Sequence, residues 1–253
     1  MKKVLVLTGD GINCERETAR AFSLAGAAPT IVHINDLLAN PASLHGYEAA
    51  AFPGGFSFGD DLGSGQILAL KLSLVLGDEL QKFVAAQKPV IGICNGFQAL
   101  TKLGLLPEPF GVRTMALARN AQGHFQDRWV DLEAEKASVC IWTKNLAGEG
   151  AFALPIRHGE GRVVFTRGEE EGIHRKLSQN GQIALRYSED VNGSFARIAG
   201  VCDPTGLVFG LMPHPEAATS RLLYPQSTRL ENRTGEGLGL RFFRNCVTYL
   251  EEK

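Results

Sequence analysis

"PVIGICNGFQAL" (residues 89–100) joins an apolar run to a helical pattern through one cysteine, Cys94. No polar residue interrupts the run, which is typical of a strand buried on both faces of a parallel sheet. Gly92 and Gly96 stand two residues to either side of the cysteine. Because glycine allows close approach of neighbouring backbone, the stretch predicts a sharp strand-to-helix turn. Cys94 is expected at its apex, strained, with its side chain exposed above the sheet.

The same alternation of strands and helices extends toward the N-terminus. Buried strands are predicted for "KKVLVLT" (2–8), "APTIVHI" (28–34) and "EAAAFPGG" (48–55). Helical patterns are predicted at 15–27, 65–86 and 96–103. Strands that alternate with helices indicate an α/β fold with a doubly wound, mostly parallel sheet and flanking helices.

From about Pro107 onward the pattern changes to short runs separated by Gly, Asn and Asp, which predict additional antiparallel strands. The clearest are "VRTMALA" (112–118), "RWVDLEA" (128–134), "ASVCIWT" (137–143) and "GRVVFTR" (161–167). A surface loop is predicted over 224–239 and an amphipathic helix over 239–252. No repeat or low-complexity segment divides the chain, so we expect a single domain over residues 1–253.

The composition excludes several classes of protein. The net charge of -1 provides no electrostatic surface for nucleic acid or acidic lipid. No apolar run approaches the ~18 residues of a membrane span, and the N-terminal run is too short for a signal peptide. The five cysteines lack a C-x-x-C pair, which favours a reducing cytoplasm. We interpret four of them as small buried hydrophobic residues: Cys14, Cys140, Cys202 and Cys246.

Cys94 is a candidate nucleophile because the N-terminus of the predicted helix favours its thiolate form. A thiolate of this kind needs a base and a group that orients the base. Two H-x-E units offer these groups, His158 with Glu160 and His214 with Glu216. The second pair is favoured because it follows an apolar strand and prolines flank its histidine, which fixes the backbone.

A third loop, "FPGGFSFGDDLGSGQ" (52–66), follows a predicted strand at the same sheet edge. The backbone N–H groups of Gly54 and Gly55 are candidates for an oxyanion hole. A plain glycine-rich connection into the next helix would also explain these glycines. A phosphate cradle is a further alternative, although neither G-x-x-x-x-G-K-[ST] nor G-x-G-x-x-G is present.

Several stretches between residues 11 and 216 match one known family in the family's order. They are "GINCERETARAF", "FPGGFSFGDDLGSGQ", "GICNGFQAL", "RNAQGHFQDRWV", "PIRHGEGR", "NGSFARIAG" and "GLMPHPE". G-x-C-x-G-x-Q together with H-P-E resembles the class I (triad-type) glutamine amidotransferases, which have a flavodoxin-like fold. "PGGFSFGD" and "HGEGR" resemble, within that class, the glutaminase subunits of phosphoribosylformylglycinamidine synthase.

The resemblance implies a catalytic triad. Cys94 would attack the side-chain amide of glutamine, releasing ammonia and leaving a glutamyl thioester. His214 would transfer the protons and Glu216 would orient it. The "HGEGR" motif would then lie outside the triad, near the glutamine pocket or a partner interface.

The resemblance also implies the groups that surround the nucleophile. The backbone N–H groups of Gly55 and Asn95 would hold the oxyanion, and Gln98 would help to bind the glutamine. It implies no metal and no cofactor on this chain. ATP and magnesium are expected on a separate synthetase subunit, which would also bind formylglycinamide ribonucleotide, and a small third subunit would assemble the complex.

Two other functions use the same sequence features. A free-standing cysteine hydrolase of γ-glutamyl compounds would need the same elbow and base, but no synthetase. A non-catalytic flavodoxin-like binding module would use the glycine loops to hold a phosphate, with Cys94 incidental. The joint occurrence of "PGGFSFGD", "GICNGFQ" and "HPE" favours the glutaminase.

Overall fold

A nine-stranded mixed sheet lies at the centre of the computed structural model, which describes residues 1–148, 150–229 and 234–253. In chain order the strands are β1 (Lys3–Thr8), β2 (Ala28–His33), β3 (Ala49–Phe52), β4 (Val90–Ile93), β5 (Met115–Ala118), β6 (Gln126–Ala134), β7 (Phe152–His158), β8 (Arg162–Phe165), β9 (Ile183–Tyr187), β10 (Ile198–Cys202) and β11 (Val208–Leu211). The helices are α1 (Glu15–Leu24), α2 (Ile34–Ala39), α3 (Gln66–Ala85), α4 (Asn95–Lys102), α5 (Glu170–Gln179) and α6 (Gly239–Glu252).

The order of the strands divides the large sheet into a parallel and an antiparallel half. The order is β2-β1-β3-β4-β11-β10-β9-β6-β7. The first five strands in this order, from β2 to β11, are parallel to one another. Each later neighbouring pair, β11-β10, β10-β9, β9-β6 and β6-β7, is antiparallel. The parallel half has the strand order of flavodoxin-like folds. The predicted α/β class with additional antiparallel strands is therefore confirmed.

Burial follows the position of each strand in this sheet. Strands β3 and β4 are interior and buried throughout, as continuous apolar runs require. Strand β2 forms the outer edge and, among the described residues, pairs only with β1, so Ile31 is 42% exposed. The expectation of a fully buried strand over 28–34 was therefore wrong. Helix α3 confirms the long helix predicted over 65–86.

The predicted strand at 137–143 is also wrong. Ile141–Thr143 form a turn of 3-10 helix. Trp142 is completely buried, its Nε1 donates a hydrogen bond to the Leu207 carbonyl at 2.9 Å, and its ring packs against Phe22. Tertiary packing of one aromatic side chain therefore decides the conformation of this short apolar run.

The predicted surface loop at 224–239 is described only in part, because residues 230–233 lie outside the described residues. Its first part includes a short 3-10 helix, Ser227–Arg229, and Tyr224 packs on Trp129 with ring centroids 4.8 Å apart. Among the described residues, no helix has the length and apolar character needed to cross a lipid bilayer.

The parallel half of the sheet brings several loops to one edge. Strands β1, β3, β4 and β11 all end there because they run in the same direction. The segments that follow them contain Cys14, Gly54, Cys94 and His214 respectively. Ligands of open α/β sheets bind outside this carboxyl edge.

Candidate active site

The strand-to-helix turn after β4 has the strained geometry that the sequence predicts. Cys94 has φ 50° and ψ -105°, a backbone conformation that residues other than glycine rarely adopt. A Cβ on Gly96 would lie 1.8 Å from the Phe52 carbonyl oxygen, and one on Gly92 would lie 2.8 Å from the Gly96 backbone. The paired glycines are therefore required by close backbone contact.

The Cys94 side chain is covered rather than exposed above the sheet as predicted. Only 5% of the residue is accessible, and its Sγ lies 3.5 Å from the carbonyl oxygen of Arg157, as a hydrogen-bond donor. Arg157 belongs to β7, the last strand in the order of the sheet, which lies in its antiparallel half. The prediction of exposure was wrong because the segments that cover the elbow come from other parts of the chain.

His214 and Glu216 form a buried hydrogen-bonded pair beside the elbow. His214 Nδ1 lies 2.6 Å from Glu216 Oε1, and the backbone N–H of His214 donates to the Pro155 carbonyl at 2.8 Å. Because an ionised carboxylate only accepts, Nδ1 carries a proton, and Nε2 is the nitrogen that can exchange a proton with a thiol. Within the described part of the chain Nε2 has no hydrogen-bond partner.

The environment of His214 favours its protonated form. Burial opposes the charge, but the Glu216 carboxylate and the neighbouring thiols of Cys94 and Cys14 outweigh this effect and raise the pKa of His214 well above its usual value. A protonated imidazole stabilises an adjacent thiolate, the nucleophilic form of cysteine. The arrangement can therefore move a proton between a thiol and an imidazole.

Gly54 provides the space in which these side chains meet. A Cβ at this position would lie 2.7 Å from His214 Cε1, 3.4 Å from Cys14 Sγ and 3.4 Å from Cys94 Cβ. Three segments that are distant in sequence therefore converge on one backbone position without a side chain.

Two backbone N–H groups lie beside the nucleophile. Asn95 follows Cys94 directly, and Gly55 follows Gly54 with a φ of 146° that favours glycine. Among the described residues, neither N–H donates a hydrogen bond. Both groups are therefore available to a negatively charged oxygen, as an oxyanion hole requires.

The side chain of Asn95 attaches the glycine-rich loop to the elbow. Its Oδ1 accepts from the Ser57 N–H at 3.0 Å, and its Nδ2 donates to Asp60 Oδ1 and to Gln98 Oε1, each at 3.0 Å. Gln98 Nε2 in turn donates to the carbonyl oxygen of Glu160. The structure therefore places Gln98 in the wall of the site, with both ends of its amide bonded to protein.

The alternative pair, His158 and Glu160, is not joined. His158 Nδ1 instead lies 3.0 Å from Asn120 Oδ1, and Glu160 interacts with the Ser64 N–H and Arg119. Burial, followed by the nearby charge of His214, lowers the pKa of His158 to about 4. His158 is therefore neutral near pH 7, and the geometry favours His214 and Glu216.

Cys14 is the residue of this cluster that sequence reasoning missed. It is buried, as predicted, but it lies beside His214 and not in a remote part of the core. Burial raises the pKa of its thiol. Its position in the loop after β1, at the carboxyl edge of the sheet, was the available signal. Asn120, which holds His158, lies in the "RNAQGHFQDRWV" stretch, but nothing in that stretch indicated a contact with His158.

Comparisons with known proteins agree with this site. The model of a CobB/CobQ-like glutamine amidotransferase domain matches residues 1–250. Phosphoribosylformylglycinamidine synthase subunit PurQ of Methanococcus maripaludis is 41% identical over 274 residues, covering 99% of this chain and 98% of the relative. The subunit PurQ of Dehalococcoides mccartyi is 39% identical over 257 residues, with coverage of 99% and 98%. The chain belongs to the PurQ family of glutamine amidotransferases.

A solved structure extends the PurQ comparison to the fold. A chain of the structure of PurLQS from Thermotoga maritima superposes with a TM-score of 0.76 at 34% identity, covering 99% of this chain and 100% of that one. The family resemblance stated from the motifs is confirmed. All the segments that meet at Gly54 fall within the matched residues of the PurQ-family chain.

Proposed function

We propose that the chain is the glutaminase subunit of a phosphoribosylformylglycinamidine synthase, which hydrolyses glutamine to glutamate and ammonia. The observation that carries the proposal is a strained cysteine at a strand-to-helix elbow, Cys94, beside the buried pair of His214 and Glu216. The names and similarity of the PurQ relatives support the same reaction.

In the first half of the reaction, the Cys94 proton is transferred to His214 Nε2, and the Cys94 thiolate then attacks the side-chain carbonyl carbon of glutamine. The carbonyl oxygen becomes an oxyanion, held by the N–H groups of Gly55 and Asn95. His214 then donates that proton to the departing nitrogen. The carbon–nitrogen bond breaks, ammonia leaves and a glutamyl thioester remains on Cys94.

In the second half, a water molecule replaces ammonia. His214 accepts a proton from the water molecule while the water oxygen attacks the thioester carbon. The same two N–H groups hold the second oxyanion. The carbon–sulfur bond then breaks, the proton returns to the Cys94 thiolate and glutamate is released. Glu216 holds the proton on His214 Nδ1 throughout. It also stabilises the His214 imidazolium that forms in each half of the reaction.

We assign Gln98 to the glutamine-binding wall. Its amide holds the main chain at Glu160, part of the "HGEGR" motif, against the elbow. The carbonyl oxygen of Arg157, in the same segment, contacts Cys94 Sγ. The motif therefore contributes to the pocket rather than to the catalytic triad.

The ammonia would be used by a partner. We propose that a separate synthetase subunit binds ATP, magnesium and formylglycinamide ribonucleotide and carries out the carbon–nitrogen ligation, and that a small third subunit completes the complex. The similarity to a chain of the PurLQS structure supports such an assembly. We expect no cofactor or metal requirement on this chain for the glutaminase reaction. We place the complex in the cytoplasm, which the five free cysteines favour.

Glutamate release by the purified chain and by Cys94→Ala tests the proposal. Each is assayed alone and again with the cognate synthetase subunits, ATP, magnesium and formylglycinamide ribonucleotide. Low turnover that rises with the partners and disappears in Cys94→Ala is the expected result. Full turnover without partners would indicate a free-standing hydrolase, and turnover that survives in Cys94→Ala would exclude the proposed nucleophile.

A further inference from the structure

Asn120 is a buried polar residue that has no part in the proposed triad or oxyanion hole. It lies in the loop between β5 and β6 and is 2% exposed. Its Nδ2 donates to the carbonyl oxygens of His158 at 2.8 Å and His124 at 3.1 Å. Its Oδ1 accepts from His158 Nδ1 at 3.0 Å and from the backbone N–H of Gly161 at 3.2 Å. All four hydrogen-bonding positions of this amide are therefore used within the protein.

These bonds fix the turn between β7 and β8, residues 158–161. Besides the contacts of its side chain, the backbone N–H of Asn120 donates to the Gly159 carbonyl at 2.8 Å. The carbonyl of Glu160, in the same turn, accepts instead from Gln98 Nε2. The main chain of the turn is therefore held between Asn120 and Gln98, the residue assigned to the glutamine-binding wall.

Two motifs that the triad does not use join this turn. Asn120 belongs to "RNAQGHFQDRWV", and the next N–H in that motif, of Ala121, donates to the Asn192 carbonyl at 2.9 Å. Asn192 opens "NGSFARIAG", in which Ser194 Oγ accepts from the Val163 N–H at 3.0 Å, just after the turn. Both motifs and "HGEGR" therefore form one hydrogen-bonded unit.

The unit contacts the nucleophile through the residue that precedes the turn. The carbonyl oxygen of Arg157 lies 3.5 Å from Cys94 Sγ. In the described part of the chain, no hydrogen bond of Asn120 reaches Cys94, His214 or Glu216. Loss of the Asn120 side chain would therefore release the wall of the pocket and leave the hydrogen bonds of the triad in place.

We propose that Asn120 is a positioning residue of the glutamine pocket, which acts through the main chain of residues 157–161 and does not itself contact glutamine. The proposal rests on the proposed glutaminase function. A wall that is already fixed in its binding conformation loses less entropy when the substrate binds. Without the Asn120 amide, ordering the turn opposes binding, so the loss should fall on KM rather than on kcat.

Steady-state kinetics in the assembled complex test this division. In Asn120→Ala the KM for glutamine should rise by at least about tenfold and kcat should fall by less than about threefold. Asn120→Asp, which keeps the acceptor and loses both donors, is the second variant and should also raise KM. The matched control is Asn245→Ala, because Asn245 is a buried asparagine of α6 whose Nδ2 donates to the Trp142 carbonyl at 2.9 Å. The control should be less stable than wild type but keep its KM. Unchanged KM in both Asn120 variants, with or without a loss of kcat, would overturn the proposal.

Alkylation of Cys94 by iodoacetamide provides a readout that does not depend on turnover. Its rate is followed by mass spectrometry of the peptide that contains Cys94, at increasing concentrations of glutamine. Without glutamine, Asn120→Ala should react about as fast as wild type, but it should need at least about tenfold more glutamine for half-protection. Equal protection of wild type and both Asn120 variants would overturn the proposal. If no form hydrolyses glutamine but protection is weakened only in the Asn120 variants, the proposed function fails and the positioning role stands.

Discussion

Replacing Gly54 by alanine tests the geometry of the site with a single methyl group. The added Cβ would lie 2.7 Å from His214 Cε1, whereas ordinary contact begins at 3.4 Å, so the imidazole must retreat by about 0.7 Å. His214 cannot move freely, because Nδ1 is held 2.6 Å from Glu216 and its backbone N–H is bonded to Pro155.

A displacement of this size should act on the chemical step. Misplacing a catalytic group by about 1 Å costs on the order of 100-fold in rate. We therefore expect Gly54→Ala to lower kcat for glutamine hydrolysis by about 10- to 100-fold, which is ~1.4–2.7 kcal/mol of activation free energy. KM should change less, because the substituted position faces the nucleophile and the base.

Steady-state kinetics in the assembled complex measure this effect, and Gly77→Ala is the matched control. Gly77 lies in α3, and a Cβ there meets nothing within 4 Å. The control should keep wild-type kcat and gain roughly 0.4–1 kcal/mol of stability. If Gly54→Ala remains folded and its kcat stays within about threefold of wild type, His214 is not the proton-transfer group, or it does not lie where the structure places it.

Three further predictions concern single side chains. Glu216→Gln should lower kcat by about 10²–10⁴-fold with a smaller change in KM, as loss of the orienting carboxylate does in other triads; an unchanged kcat would remove Glu216 from the mechanism. Asn95→Ala deletes three hydrogen bonds, two of them buried, and should lower the free energy of unfolding by about 2–3 kcal/mol in urea denaturation; a loss below about 0.5 kcal/mol would contradict the network. The pKa of His158 is lowered to about 4 in the folded protein, so its contribution to stability is complete above about pH 6.5 and is lost as the pH falls toward 4. Between pH 7 and pH 4.5 wild type should therefore lose ~2–3 kcal/mol more than His158→Gln, and parallel pH profiles would refute this.

Much of the site could be predicted from short segments. The elbow around Cys94 is encoded within five residues, because the two glycines that permit close backbone contact lie beside the cysteine itself. The pairing of His214 with Glu216 is similarly local, since residues two apart in an extended segment point to the same side. The buried strands β3 and β4 follow from continuous apolar runs.

Other features depend on contacts between distant segments. The burial of Cys94 results from Arg157 on β7, and the 3-10 helix at Ile141–Thr143 results from the packing of Trp142. Cys14 looked like an ordinary core residue, because nothing in its own segment shows that β1 lies next to β3 and ends at the same edge.

By itself, the sequence determined the α/β class, the elbow, the candidate nucleophile and the family resemblance, because periodicity, glycine spacing and motifs act over a few residues. The tertiary structure alone decided that Cys94 is covered, why Gly54 has no side chain, and that the thiol of Cys14 lies beside the same glycine. These depend on the order in which parallel strands associate, and the free energy of that association comes from burial of side chains that are far apart in the chain.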